Sequence, residues 1–305
     1  MNGTKGAAAG AAAGERGGQH DHDGDHAVLG GCLDVGPTRV AVTPFGPVGG
    51  TGAGGPCFPA FDESGSWIFA ANYSGGRLTA HPVAPDAPAD AVFSIGFDGS
   101  GPHERQSSPR PHQAVIDAAR DRLLVPDLGS DRIRVLRPAD LPDRLRHDDD
   151  DDIVVHAGAG PRHLVVAGDV AIVANELDRT ASLVDLAERR ELSWVPVDAT
   201  VAARGLGVSA IRLTSAGTVL VGDRDADAIA ALRYDADARS LEHVASITTG
   251  GGHPRDLHVT HDERFALVAD QASDSIAVIV LEQGVPVEVV ETLSTPAPAC
   301  LARVW

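Results

Sequence analysis

Short apolar segments recur along this chain, and each ends in an asparagine or aspartate that precedes a polar turn. Alternation of apolar and polar residues, clearest in residues 132–136, 228–234 and 275–281, is typical of β-strands with one buried face. The Asn or Asp recurs at spacings of 55, 48, 48 and 47 residues, at Asn72, Asp127, Asn175, Asp223 and Asp270. No stretch has a helical period, so the pattern predicts an all-β protein built from a repeated unit.

A second shared segment, rich in proline or glycine, leads into each unit. It is found at residues 55–58, 108–112, 160–163, 209–212 and 253–256. One unit then comprises four antiparallel strands in about 40–50 residues, which is typical of a β-propeller blade. A β-sandwich does not predict so regular a repeat. We expect the recurring Asn and Asp side chains to cap turns and bind backbone amides.

The two ends of the chain are expected to share one blade. Residues 298–305 resemble an innermost strand, whereas residues 26–32 and 38–45 resemble strands that lack an innermost strand before them. Together they predict one composite blade beside five continuous ones, so six blades are visible. Residues 1–26 combine an Ala/Gly run with a His/Asp tract. We predict a disordered low-complexity tail there, with metal binding as the alternative for the tract, and a propeller domain at 27–305.

Charge and cysteine content narrow the possible partners. The 305 residues include 43 acidic and 25 basic side chains, for a formal net charge of −18. This balance argues against nucleic acid and anionic membranes as partners. No apolar run reaches the roughly 18 residues of a membrane span, and no secretory signal is visible. Three cysteines without paired spacing argue against a disulfide framework, so we expect a cytoplasmic protein. The acidic run 148–152 is interpreted as a solvated loop.

Basic residues occupy the leading segments of four consecutive units. In a propeller these segments lie at the mouth of the central channel, because the strand after each of them lines that channel. Their mutual repulsion is unfavourable unless an anion offsets it, so we predict a substrate with a phosphate or carboxylate. The candidate residues are His112, Arg162, His163, Arg212 and Arg255. Glu176, which follows the third repeated Asn, is either a general base or an ion-pair partner of an arginine.

Several motifs occur in an order that resembles a known family. They are PRPH at 109–112, DLGSDR at 127–132, GAGPRH at 158–163, NEL at 175–177, DR at 223–224 and GGHPRD at 251–256. Over residues 50–305 the chain resembles the lactonase family of seven-bladed β-propellers, which includes bacterial 6-phosphogluconolactonase and a fungal muconate-cyclising enzyme. The resemblance implies catalytic roles for His112, Arg162, Glu176 and a second arginine. Arg224 is the best match for that arginine, and Arg255 is its rival.

The chain also departs from the family pattern. Six blades are visible where the family has seven, and Phe58, Arg110 and Ala210 stand where the family often has His, His and Glu.

From the resemblance and the basic residues of the leading segments, we expect a metal-independent, cofactor-free hydrolase that opens a lactone bearing an anionic group, such as 6-phosphogluconolactone. The alternatives are a muconate-type cycloisomerase that uses the same groups, and a non-catalytic propeller that binds an acidic metabolite or a protein. The sequence leaves the oligomeric state open.

Overall fold

The computed structural model describes residues 7–12, 28–33, 51–83, 91, 93–137 and 145–303. These residues form six antiparallel sheets, and they divide into two compact units, residues 51–196 and residues 197–303 with the N-terminal strands. In chain order the strands are β1 (Ala7–Ala12), β2 (Val28–Leu33), β3 (Pro56–Phe61), β4 (Trp67–Asn72), β5 (Arg77–Pro82), β6 (Phe93–Gly96), β7 (Val115–Asp117), β8 (Arg122–Asp127), β9 (Arg132–Arg137), β10 (Arg146–His147), β11 (Ile153–Val154), β12 (Pro161–Ala167), β13 (Val170–Asn175), β14 (Thr180–Asp185), β15 (Arg190–Pro196), β16 (Val208–Leu213), β17 (Thr218–Asp223), β18 (Ala228–Asp235), β19 (Ser240–Thr248), β20 (Pro254–Val259), β21 (Phe265–Asp270), β22 (Ser275–Glu282), β23 (Val285–Ser294) and β24 (Pro298–Arg303).

Helical structure in the described ranges is confined to connections. Four one-turn 3-10 helices are found there, at Glu104–Gln106, Ala118–Arg120, Asp149–Asp151 and Gln271–Ser273. None of the helices in the described part of the chain has the length and apolar character of a membrane span.

The unit of residues 51–196 contains three sheets whose strands follow one another in the chain. Their orders are β3-β4-β5-β6, β7-β8-β9-β10 and β12-β13-β14-β15, and β11 also pairs with β9. Leu123 and Leu124 are consecutive on β8, yet they belong to different apolar clusters: Leu123 packs with Phe69 and Leu78, and Leu124 packs with Leu164. Both faces of the middle sheet are therefore covered at β8, which explains why residues 123–126 of this strand form a continuous apolar run rather than an alternation.

The second unit contains two four-stranded sheets, β16-β17-β18-β19 and β20-β21-β22-β23, and a three-stranded sheet of order β2-β1-β24. Ile229 of β18 packs with Leu257 of β20 in the cluster that joins the two larger sheets. Leu301 of β24 packs against Leu267 and Ile276, so the C-terminal strand is anchored on the neighbouring sheet. Each of these contacts removes apolar surface from water and stabilises the sheet packing.

The chain ends meet in one sheet, as the composite blade predicts, but its middle strand was not expected. The first strand, β1, pairs with β2 on one side and with β24 on the other. Residues 7–12 thus form a paired strand in this structure, which differs from the disordered tail expected there. An Ala/Gly segment has little side-chain surface, but its backbone donors and acceptors can pair on both sides. The expected strand 38–45 and the rest of 1–26 lie outside the described residues.

The recurring Asn and Asp side chains are all fully buried. Asp127 Oδ1 accepts hydrogen bonds from the backbone N–H groups of Arg110 (2.6 Å) and Gly129 (3.1 Å). Asp223 Oδ1 accepts from the N–H of Asp225 at 3.0 Å. The expected structural role, binding backbone amides in the turns, is confirmed for these two residues.

The acidic run 148–152 is not solvated throughout, which corrects the prediction for its last residue. Asp152 is buried, with Oδ2 2.9 Å from Arg134 Nη1 and Oδ1 accepting from the N–H of Val135 at 3.1 Å. Arg134 is itself fully buried and also contacts Asp127 Oδ2 through Nη2 at 2.8 Å. A buried guanidinium requires such carboxylate partners, because an unpaired charge in the interior is costly.

Candidate active site

A β-bulge at the start of β12 aims the first candidate arginine. Pro161 pairs with Asn175 and His163 pairs with Ala174, so Arg162 is the additional residue of the bulge. A bulge re-aims the side chains around it and is frequent beside active sites. The same irregularity falls at Cys57 in β3 and at Arg255 in β20. The repeat thus supplies one re-aimed position at each of these strand starts, and the residue type decides its chemistry.

The Gly-Ala-Gly loop before β12 positions the opposing carboxylate. Gly160 has a φ of +66°, and its carbonyl accepts from the N–H of Glu176 at 2.8 Å. The N–H groups of Gly158 and Gly160 donate to the two carboxylate oxygens of Asp131, at 2.7 and 2.9 Å. Glycine adopts a positive φ without a steric cost, so this loop can turn sharply beside the glutamate. The spacing from GPRH to NEL therefore brings Arg162 and Glu176 together.

Glu176 lies between two arginines. Arg162 Nε is 2.8 Å from Oε2, and Arg105 Nη2 is 2.5 Å from Oε1. Arg162 and Glu176 are buried, whereas the side chain of Arg105 is 38% exposed. The expectation that Glu176 pairs with an arginine is met twice. Two guanidinium groups and one carboxylate leave a formal surplus of one positive charge at this cluster.

Two histidines extend the cluster, and their contacts define a tautomer. Arg162 Nη1 is 3.3 Å from His163 Nε2, and His163 Nε2 is 3.2 Å from His112 Nδ1. Arginine has only donors, so His163 Nε2 accepts, and His112 Nδ1 carries the hydrogen that it donates to the same nitrogen. When the His112 ring is neutral, this assignment, which is inferred from the hydrogen bonds, makes Nε2 its acceptor nitrogen.

Aromatic rings pack against both histidines. The Tyr73 ring meets His112 edge-on with 5.7 Å between centroids, and Phe58 meets His163 edge-on at 5.3 Å. Phe58 stands where the family often has a histidine. In this chain the position therefore supplies an apolar contact that holds the His163 ring rather than another titratable group.

Arg105 is the cluster residue that the sequence does not reveal. It lies in the one-turn helix Glu104–Gln106, in the long connection between β6 and β7, outside the repeated pattern. Its neighbour Gln106 is buried and donates Nε2 to Leu128 O at 2.8 Å and to Asp131 Oδ1 at 2.6 Å. Burial opposes the charge of Arg105, but Glu176 and Tyr73 outweigh it and raise its pKa above the usual value. No repeat-equivalent position would have identified this residue.

The other three candidate arginines belong to the unit of residues 197–303. Arg224 is buried and donates Nε to Gly207 O at 3.2 Å and Nη2 to Val208 O at 2.9 Å. Arg212 Nη2 is 3.0 Å from Asp256 Oδ1. Arg255 is the half-buried bulge residue of β20. The structure thus joins His112, Arg162, His163 and Glu176 in one cluster, and participation of Arg212, Arg224 and Arg255 stays a prediction.

Comparison with known proteins identifies the family. The model of the family described as lactonase, 7-bladed β-propeller, matches residues 33–303. The chain belongs to this lactonase family. The family's fold confirms the all-β propeller architecture expected from the repeat. The six sheets of the described residues, five continuous and one composite, agree with the number of blades counted in the sequence.

Relatives of this lactonase-family chain include enzymes named 6-phosphogluconolactonase. The Bacillus subtilis enzyme is 27% identical over 263 residues, which are 81% of this chain and 72% of the relative. The Serratia proteamaculans enzyme is 29% identical over 241 residues, 75% of this chain and 68% of the relative. A crystal structure from Bacteroides fragilis superposes with a TM-score of 0.77 at 28% identity, covering 92% of this chain and 80% of that one.

Proposed function

We propose that this protein hydrolyses a lactone that carries an anionic group, with 6-phosphogluconolactone as the first candidate. Membership of the lactonase family and two relatives named for this substrate support lactone hydrolysis. The observation that carries the assignment is the Glu176 carboxylate between Arg105 and Arg162, 2.5 and 2.8 Å away. The surplus positive charge there favours an anionic ligand.

The side chains of this cluster can carry out each proton transfer of lactone hydrolysis. Glu176 takes a proton from a water molecule while the oxygen of that water attacks the lactone carbonyl carbon. Arg162 donates hydrogen bonds to the oxyanion that develops in the tetrahedral intermediate. Collapse of that intermediate breaks the ring C–O bond, and the protonated Glu176 returns its proton to the departing ring oxygen. The product is the open hydroxy acid.

His112 is the second proton acceptor of the cluster. Its Nε2 is the acceptor nitrogen in the tautomer set by His163, so it can orient the attacking water or receive its proton. His163, locked between Arg162 and His112, holds both groups in place. We propose Arg224 as a catalytic residue on the family pattern, with Arg255 as its rival. We propose Arg212 and Arg255 as substrate contacts from their places in the repeated leading segments.

We propose that the protein works in a reducing compartment such as the cytoplasm, because Cys57 and Cys300 form no disulfide within the described residues. We propose a small anionic lactone as the partner, with neither nucleic acid nor membrane bound, as the net charge of −18 favours.

The test is turnover of a substrate panel by the full chain. Ring opening of 6-phosphogluconolactone, an unphosphorylated gluconolactone and a carboxymuconate would be followed with correction for spontaneous hydrolysis, with and without a chelator. We expect opening of the phosphorylated lactone that the chelator does not change. Turnover of the muconate alone would indicate the cycloisomerase. Binding of 6-phosphogluconate without turnover of any substrate would indicate the non-catalytic propeller and overturn the proposal.

A further inference from the structure

We propose that Arg105 selects the anionic substrate by exchanging Glu176 for the substrate's anionic group, and that the loss of this ion pair makes Glu176 a stronger base. The inference rests on the proposed lactone hydrolysis and names the residue that makes it selective. The two arginines that contact Glu176 differ in their exposure to solvent.

The two arginines differ in exposure and support. Arg162 is 2% exposed and follows the bulge of β12, whereas the side chain of Arg105 is 38% exposed. His112, His163 and Glu176 are each at most 5% exposed. Among these residues only Arg105 offers substantial surface to solvent, so a ligand that enters from solvent meets its guanidinium first.

Arg105 also has donors to spare. Both of its contacts use Nη2, which is 2.5 Å from Glu176 Oε1 and 3.3 Å from the Tyr73 hydroxyl oxygen. Within the described part of the chain, Nε and Nη1 of Arg105 have no hydrogen-bond partner. An arginine presents five N–H donors in a planar fork that matches phosphate and carboxylate oxygens in pairs. Arg105 can therefore form hydrogen bonds to a substrate anion as its ion pair with Glu176 breaks.

The backbone beneath Arg105 is fixed, so the exchange needs only a side-chain rotation. Gln106 is fully buried and holds Leu128 O and Asp131 Oδ1. The helix turn is capped by His103, whose Nδ1 accepts from the N–H of Arg105 at 3.1 Å. The guanidinium is thus presented from an anchored turn, which reduces the ordering cost of binding.

The exchange couples recognition to catalysis. In this structure each oxygen of Glu176 contacts an arginine, Oε1 with Arg105 and Oε2 with Arg162. When Arg105 turns to the substrate anion, its positive charge no longer acts on the carboxylate, so Glu176 becomes a stronger base, whereas Arg162 keeps the carboxylate oriented. A neutral lactone has no group that replaces Glu176 on Arg105, so the ion pair stays in place. Selectivity for an anionic substrate then appears in turnover as well as in binding.

The experiment compares Arg105→Gln and Arg105→Lys with wild type on 6-phosphogluconolactone and on unphosphorylated gluconolactone. We expect Arg105→Gln to lose about 10- to 100-fold in kcat/KM for the phosphorylated lactone, the loss typical of one charge-assisted contact. For the neutral lactone, kcat should stay equal or rise, because the positive charge of Arg105 no longer weakens Glu176 as a base. Arg105→Lys, a point charge without the fork, should recover only part of the phosphorylated activity. A purely structural role would lower both substrates alike.

The control is Arg137→Gln, which removes an exposed arginine that pairs with Asp151 at 2.9 Å in the same unit. It should leave both activities and their ratio unchanged. Calorimetric binding of 6-phosphogluconate and gluconate gives a second readout, in which Arg105→Gln should weaken only the phosphorylated product. Equal losses on both lactones and both products, or no change on either, would overturn the role of Arg105 while wild-type turnover still supports hydrolysis. A wild type inactive on every lactone would overturn the proposed function itself.

Discussion

Asp270 is a buried acid whose replacement by asparagine should stabilise the protein as the pH rises. The side chain is fully buried, Oδ1 accepts from Thr249 Oγ1 at 2.8 Å, and Oδ2 has no hydrogen-bond partner in the described residues. Burial, opposed by the Thr249 hydrogen bond and reinforced by the Asp227 charge, raises the pKa of Asp270 from 3.8 to about 7. The equivalent residue of the first described blade is Asn72, whose Nδ2 donates to the carbonyl of Ala70 at 2.9 Å.

The sign and size of the effect follow from linkage between proton binding and folding. Because the folded state holds the proton more tightly, stability is full below pH 3.8, falls as pH rises toward 7, and is level above it. At about 1.4 kcal/mol per pKa unit, the cost of ionising Asp270 reaches about 4 kcal/mol above pH 7 and only about 2 kcal/mol at pH 5. Asp270→Asn removes this cost, so its advantage over wild type should grow by about 3 kcal/mol between pH 5 and pH 8.

The assay is urea unfolding of both proteins at several pH values between 5 and 8, with the slopes of the transitions compared. Asp262→Asn is the matched control of opposite sign. Hydrogen bonds from Thr260 Oγ1 and the Arg264 N–H lower the pKa of Asp262, so its replacement should not stabilise the protein at neutral pH. An Asp270→Asn midpoint equal to or below wild type, with no dependence on pH, would refute the reasoning.

Two further substitutions test the local structure. Gly160→Ala should destabilise more than Gly168→Ala by about 1–3 kcal/mol in urea unfolding, because the new Cβ would overlap the Leu177 side chain, whereas Gly168 has a similar positive φ and open space around it. Equal losses would show that Leu177 moves aside without cost. Ala9→Pro should lower the Tm clearly more than Ala9→Ser, because proline has no backbone N–H to donate in a strand that is paired on both sides. An unchanged Tm would support a disordered tail instead of the strand.

Much of the fold could be predicted because a repeat leaves a strong signal. Apolar strands that end in Asn or Asp at a nearly constant spacing reflect a unit that buries the same positions each time. The strand Ala7–Ala12 left no such signal, since its pairing depends on backbone groups that every residue carries. Asp152 was missed for a related reason: an acidic run reads as solvated, and only the structure shows the buried Arg134 that it binds.

The site was predictable where it coincides with the repeat. His112, Arg162, His163 and Glu176 lie at repeat-equivalent positions, and the structure joins them. Arg105 lies in a connection that belongs to no repeat, and only the three-dimensional contact with Glu176 identifies it. Positions outside the periodic pattern are set by tertiary packing, so sequence periodicity carries no information about them.

The central claim is that the carboxylate of Glu176 activates water for lactone opening. The most direct measurement is the kcat of Glu176→Gln on 6-phosphogluconolactone, corrected for spontaneous hydrolysis, with Asp178→Asn, a carboxylate two residues away that pairs with His156, as the matched control. Loss of a general base predicts a fall in kcat of about 100-fold or more in a variant that is still folded by circular dichroism. Its Tm should be lower than that of wild type, because the buried Arg162 loses its carboxylate partner. Asp178→Asn should retain wild-type turnover. A Glu176→Gln variant that keeps kcat within about twofold of wild type would contradict the account.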